Sequence, residues 1–239
     1  MSLLTVVRHG QASFLAENYD KLSPLGERQS ILLGKYWLAR GTRFDQIYYG
    51  PRERQIRTGE IIGSEFRKAG IPWPTPIEVP GLDEYPAEPV LRKFGPILIE
   101  RHPHLKEFSD AFVQSEDMLT KQKAIDKLLR EVTRRWMDGE ATDPEIPTWQ
   151  HFCARIESAL GAIMQNAPKA SQVAVFTSGG PTAATARMAL GLSHPATLEL
   201  TWVPRNASFS EFLFSGARMT MSTFNHTPHL PEAGLLTYR

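Results

Sequence analysis

Arg8-His9-Gly10 sets three chemically useful residues side by side near the start of the chain. A histidine held at a strand end can offer one imidazole nitrogen as a nucleophile. The glycine after it lets a backbone amide approach an oxyanion closely. Taken alone, the triplet is weak evidence and reads first as a loop histidine hydrogen-bonded to the backbone; its place after an apolar run favours the chemical reading. Two further stretches strengthen the chemical reading. In "GPRERQIRTG", Gly50 to Gly59, Arg54 falls in the first turn of a predicted helix, where dipole and guanidinium would act on one anion. Arg52 and Arg57 read instead as arginines of a solvated helix face. In "QVAVFTSGGP", Gln172 to Pro181, an apolar run stops at Thr177-Ser178-Gly179-Gly180 before a predicted helix, which is a place to hold an anion.

These residues need elements to position them. "LLTVV" (residues 3–7) reads as a buried strand, and "LSPLGERQSILLGKYWLAR" as a helix with Ser23 as N-cap and Pro24 at its first position. "FDQIYYG" is a second strand, Pro51 starts a helix to about Lys68, and "TPIEV" is a possible short strand. A helix from about Thr148 to Asn166, a strand over Val173–Phe176 and a helix from Pro181 follow. "LELTWV", "SFSEFLF" and "RMTMSTF" read as three more strands. This alternation predicts an α/β fold, a three-layer αβα sandwich with a mostly parallel central sheet. Between about residues 86 and 147 the pattern turns helical, with Ile125, Leu128, Leu129, Val132 and Trp136 on one face and Leu105, Phe108 and Phe112 on another. It reads as an insertion in a single domain. Arg8-His9, the Gly50–Arg54 turn and Ser178-Gly179 all fall just past strand ends, where ligands sit in such sheets.

Composition mostly excludes. A net charge of +1 over 239 residues gives no reason to expect nucleic acid or a membrane as partner. No apolar run approaches the ~20 residues that span a bilayer, and the N-terminus reads as lacking a secretory leader. The single cysteine, Cys153, rules out an internal disulfide framework and suits a reducing cytoplasm. Cys153 also lacks the arginine six positions on that a cysteine-dependent phosphatase needs, since residue 159 is alanine. No Gly-x-x-x-x-Gly-Lys loop is present. His102 and His104 have no third metal ligand at suitable spacing, so they read as a solvated helix start.

The motifs together resemble the histidine phosphatase superfamily, the phosphoglycerate-mutase-like fold. That family opens with strand-Arg-His-Gly-(Glu/Gln), continues with a helix start like "LSPLGERQS", and carries a turn of the form Ser-Pro-x-x-Arg-Ala-x-x-Thr-Ala. Here the turn is Gly50-Pro51-Arg52-Glu53-Arg54-Gln55-Ile56-Arg57-Thr58-Gly59. The resemblance implies that His9 becomes phosphohistidine while Arg8 and Arg54 grip the phosphoryl oxygens. It implies a carboxylic acid after the third strand, where "PGLDEYP" offers Asp83 and Glu84; Glu84 fits the pattern better. It also implies a polar phosphate contact in the loop after His9. Gln11 and Ser13 are candidates, while Asn18, Tyr19 and Asp20 read as shaping the turn.

In that family the strand before the glycine ends in (Ser/Thr)-His-Gly. Here Ser178 stands at the histidine's position, and its hydroxyl with the Gly179 amide would have to serve. His226 and His229, in "FNHTPHL", are either displaced substitutes for that imidazole or surface and packing histidines. The resemblance implies a metal-independent phosphomonoesterase with no cofactor, acting on a small phosphorylated molecule. Phosphoglycerate mutase-type transfer is the alternative among enzymes, although "LDEYPAE" departs from the mutase acid segment. A retired domain that binds phosphorylated ligands or a protein is the alternative outside them. The natural substrate and the oligomeric state stay open.

Overall fold

In the computed structural model, residues 1–13 and 20–238 are described. They divide into two compact units, Met1–Glu84 with Arg155–Arg239, and Tyr85–Ala154. Asn18 and Tyr19 lie outside the described residues.

The larger unit begins with β1 (Ser2–Arg8), α1 (Pro24–Ala39), β2 (Gln46–Tyr49), α2 (Glu53–Lys68) and β3 (Ile77–Glu78). The smaller unit holds α3 (Ala87–Arg101), α4 (Leu105–Gln114) and α5 (Met118–Met137). There Tyr85, Trp136, Trp149 and Phe152 form an aromatic cluster with ring centroids 5.3–6.2 Å apart. Leu128, Val132 and Trp136 are the buried members of the predicted α5 face. His102 accompanies Glu140 at 2.7 Å. The chain continues through α6 (Trp149–Asn166), β4 (Gln172–Thr177), α7 (Gly179–Leu190), α8 (His194–Leu200), β5 (Phe209–Ser215) and β6 (Arg218–His226). Among the described residues, no helix is long and apolar enough to cross a membrane.

The six strands form one sheet in the order β3-β2-β4-β1-β5-β6. The β1–β4, β2–β4 and β2–β3 pairs are parallel, and β1–β5 and β5–β6 are antiparallel. The central strands are buried on both faces, which is why they read as continuous apolar runs. Val7, Ile47, Phe176 and Phe209 pack with Leu33 and Trp37 of α1 and Ile62 and Phe66 of α2. α7 is buried from Gly179 to Ala186 and runs beside β1 and β6. Ser23 caps α1, its hydroxyl accepting from the Gly26 amide at 3.0 Å.

Three sequence expectations need correction. α2 starts at Glu53 rather than Pro51, because Pro51 lies in the turn and Arg52 is the cap. α7 starts at Gly179 rather than Pro181, with Ser178 as its N-cap, so the glycine pair forms the helix's first turn. "LELTWV" is no strand: Leu198 to Leu200 close α8 and a turn follows. Ser193 caps that helix, accepting from the Ala196 amide, and Pro195 sits in its first turn. This start signal outweighs the β-branched and aromatic letters downstream.

The His9 loop is seated on α1 by two glycines. A Cβ at Gly10 would lie 2.4 Å from the Gly26 carbonyl oxygen, and one at Gly26 only 2.1 Å from that of Gln11. Backbone meets backbone here, so neither position tolerates a side chain without movement. Gly26→Ala is therefore expected to lower the unfolding free energy by about 1–3 kcal/mol in urea titrations. Gly161→Ala, in α6 with nothing near its Cβ, is expected to stabilise the protein by up to about 1 kcal/mol.

Candidate active site

Three strands end level with one another and deliver the site. Arg8 pairs with Thr177, and Tyr49 pairs with Phe176. Past those ends the His9 amide donates to the Thr177 carbonyl at 2.9 Å, and the Gly50 amide to that of Phe176 at 2.9 Å. The His9 carbonyl accepts from the Ala207 amide at 3.0 Å. Ala207 holds φ 56°, a left-handed conformation costing an alanine about 1–2 kcal/mol. The Gly10 amide donates to the Thr58 hydroxyl at 3.0 Å, and that hydroxyl donates to the Arg54 carbonyl at 2.7 Å. The loop carrying His9 is thus fastened to the first turns of α2. Arg8, His9, Arg54 and Ser178 are all buried.

The imidazole's protonation follows from its neighbours. His9 Nδ1 lies 2.6 Å from the Gly10 carbonyl oxygen, which can only accept, so Nδ1 carries the proton. Nε2 takes the Arg54 Nε–H at 3.1 Å. The free lone pair of a neutral ring is therefore on Nε2, facing a guanidinium. Burial holds the His9 pKa well below that of an ordinary histidine, the charges of Arg54 and Arg8 lower it further, and the Gly10 carbonyl opposes them.

Each arginine is anchored by its far end. Arg54 Nη1 pairs with Asp20 Oδ1 at 2.5 Å, and Asp20 Oδ2 accepts from the Glu53 amide at 2.9 Å, at the start of α2. Arg8 Nη1 donates to the Pro204 carbonyl. Arg8 Nε would be 3.8 Å from a Cβ at Gly179, so this guanidinium borders the N-terminus of α7.

The two acids of "LDEYP" take different places. Asp83 forms a two-pronged pair with Arg52, at 2.6 and 2.9 Å. Glu84 Oε2 instead accepts from the Gly180 amide at 3.1 Å, in the first turn of α7. Arg155 fixes the turn by donating to the carbonyls of Gly81 at 3.0 Å and Asp83 at 2.9 Å.

The remaining predicted residues divide. Ser178 Oγ accepts from Gln55 Nε2 at 2.7 Å. Gln11 Oε1 accepts from the Ser23 hydroxyl at 2.8 Å, and the Ser13 amide donates to the Lys21 carbonyl at 2.8 Å. These contacts close their loop on the start of α1. His229 is buried with its ring 6.1 Å from Tyr36 and 6.2 Å from Phe209, and exposed His226 lies 5.1 Å from Phe209. Both histidines therefore join an aromatic group. Sequence reasoning passed over Gln55 and read Asp20 only as a turn residue. Gln55 had a signal: it is the third residue of α2, where a glutamine reaches back to the capping amide. Asp20 had none, because its partner lies 34 positions along the chain.

The sequence profile of the histidine phosphatase superfamily (branch 1) matches residues 84–227, more than half of the chain. The chain belongs to the histidine phosphatase superfamily. The matched stretch holds Glu84 and Ser178-Gly179-Gly180, and the fold brings Arg8, His9 and Arg54 to them. No curated protein matches the sequence. Among solved structures, a phosphoserine phosphatase variant from Entamoeba histolytica in complex with phosphoserine superposes with a TM-score of 0.64 at 16% identity, over 96% of this chain and 100% of that one. A phosphoglycerate mutase from Bacillus anthracis gives 0.59 at 18% identity, over 95% and 94%. A mycobacterial glucosyl-3-phosphoglycerate phosphatase gives 0.60 at 16% identity, over 95% and 100%. These likenesses establish the histidine phosphatase fold.

The packing of His229 has a measurable consequence. Burial pulls its pKa down to about 4, the neighbouring His226 adds to this, and the Ala207 backbone opposes it. Below pH 6.5 the unfolded chain binds a proton that the folded chain refuses, so stability falls with pH from 6.5 towards 4. The shift corresponds to about 3 kcal/mol for this one group. In urea titrations at pH 7 and pH 4.5, His229→Leu is expected to lose less stability on acidification than the wild type. An equal loss would remove His229 as a cause.

Proposed function

We propose that this histidine phosphatase superfamily member is a metal-independent phosphomonoesterase that works through phospho-His9. The observation that carries the reading is the neutral, buried imidazole whose Nε2 lone pair faces Arg54. A phosphate monoester dianion repels nucleophiles, so the reaction needs an uncharged attacker and positive charge on the equatorial oxygens. His9 supplies the first, and Arg8 and Arg54 the second. On substrate binding, Arg54 Nε exchanges its contact with Nε2 for a phosphoryl oxygen, while Asp20 keeps Nη1 in place. Nε2 then forms a bond to phosphorus as the ester oxygen leaves.

The leaving alkoxide needs a proton, and Glu84 is the acid in this reading. Its contact with the Gly180 amide sets the carboxyl beside Ser178 and Gly179, whereas Asp83 is committed to Arg52. After transfer, the Glu84 carboxylate takes a proton from water as water breaks the phosphorus–nitrogen bond, which regenerates the acid and frees inorganic phosphate. The Ser178 hydroxyl stands where the family has a second imidazole and supplies a neutral donor to the phosphoryl group. Such a donor is worth less than a charged one. Phosphatases and a mutase share this fold; hydrolysis is favoured because "LDEYPAE" departs from the mutase acid segment. The substrate is a small phosphorylated molecule.

Two experiments test the roles. Acid-quenched wild-type protein, briefly exposed to a labelled phosphomonoester, is expected to carry acid-labile phosphate and His9→Ala none; labelling that persists in His9→Ala would reassign the nucleophile. Glu84→Gln is expected to slow hydrolysis of alkyl phosphates by ~10²-fold or more. Aryl phosphates with good leaving groups should lose much less, and equal losses for both ester types would count against Glu84 as the acid.

A further inference from the structure

Ser178 occupies the N-cap of α7, yet its hydroxyl caps nothing. An N-cap serine ordinarily accepts from the amide of the second or third helical residue. Here the second, Gly180, gives its amide to Glu84 at 3.1 Å, and the third, Pro181, has no N–H. The hydroxyl oxygen instead accepts from Gln55 Nε2 at 2.7 Å. The orientation of that amide is fixed from its other end, because Gln55 Oε1 accepts from the Arg52 amide at 3.1 Å. An amide oxygen cannot donate, so the nitrogen must face Ser178. Gln55 is wholly buried, and Ser178 is 1% exposed.

A serine hydroxyl has one hydrogen and two lone pairs, and it rotates to suit its partners. With a donor locked against the oxygen, the hydroxyl hydrogen is driven away from Gln55. We infer that Gln55 is a positioning residue that holds the Ser178 hydroxyl as a donor to a phosphoryl oxygen. Gly50 makes the arrangement possible, since a Cβ there would lie 2.2 Å from Gln55 Oε1. The inference rests on the phosphatase reading for its ligand. Its hydrogen-bond direction rests on the contacts of Arg52, Gln55 and Ser178 alone.

The competing account is that Gln55 merely completes the cap of α2. Glutamate serves that cap equally well but presents an accepting oxygen to Ser178, which turns the hydroxyl hydrogen inward. The test is a double-mutant cycle of Gln55→Met and Ser178→Ala, with Gln55→Glu measured both alone and combined with Ser178→Ala. The readouts are orthovanadate affinity, which needs no turnover, and kcat/KM on a phosphomonoester. Each of Gln55→Met and Ser178→Ala is expected to weaken vanadate binding by about 3- to 10-fold, the worth of one neutral hydrogen bond. The double variant should be no worse than the weaker single one. Gln55→Glu should still fold, at some stability cost for its buried carboxylate, and its loss in affinity should shrink when it is combined with Ser178→Ala. Losses that multiply in the double variant, or a Gln55→Glu protein with wild-type affinity, would overturn the inference, as would a wild type that binds no vanadate. A wild type that binds vanadate but hydrolyses no ester would instead remove the phosphatase reading, and the binding cycle would still decide the role of Gln55.

Discussion

A neutral imidazole has two nitrogens and one proton, so its neighbours decide which nitrogen keeps the proton and which offers a lone pair. In this chain the decision is made by the carbonyl of the very next residue, 2.6 Å from Nδ1. Gly10 can turn its carbonyl that way because its amide is held by Thr58 and its own α-carbon lies against the backbone of Gly26. Much of the surrounding structure serves this one hydrogen bond. The parallel pairing of β1 with β4 brings His9 to the sheet's end, Thr177 and Ala207 hold its backbone on two sides, and α1 closes underneath.

Burying two arginines beside a histidine is costly unless their charge is compensated. The molecule gives each guanidinium a polar partner at its far end. Arg54 pairs with Asp20 through Nη1, and Arg8 leans on a proline carbonyl through Nη1. Burial first, and the same positive charge second, keep the His9 imidazole neutral. Anchoring, desolvation and the protonation of His9 are one arrangement seen from three residues. Asp20 thus acts on His9 at one remove, through the guanidinium it holds.

Much of the fold is legible in the sequence alone. The apolar runs gave β1, β2 and β4 because buried parallel strands need no alternation, and Ser23-Pro24 announced α1 unambiguously. Arg8, His9 and Ser178 follow strands that end level, His9 meets Arg54 there, and Glu84 meets the start of α7. What escaped was decided by long-range partners or by competing local signals. Asp83 and Glu84 are adjacent acids in one turn; the sequence pattern favours Glu84, but their partners, Arg52 for one and the Gly180 amide for the other, lie far along the chain. Gln55 shows in the sequence as the capping glutamine of α2, but its other partner, Ser178, lies 123 positions away. Leu198 to Val203 carries strand-like letters, but Ser193 and Pro195 had already committed the backbone to a helix.

The tight fit of Gln55 over Gly50 also bears on how the sequence can drift. While glutamine occupies position 55, position 50 is closed to every residue with a side chain. Shortening position 55 does not by itself reopen it, because the Leu82 carbonyl oxygen would still lie 2.9 Å from the same Cβ. Gly50 is therefore entrenched twice, by a side chain that substitution can remove and by a backbone that only a shift of the turn can move.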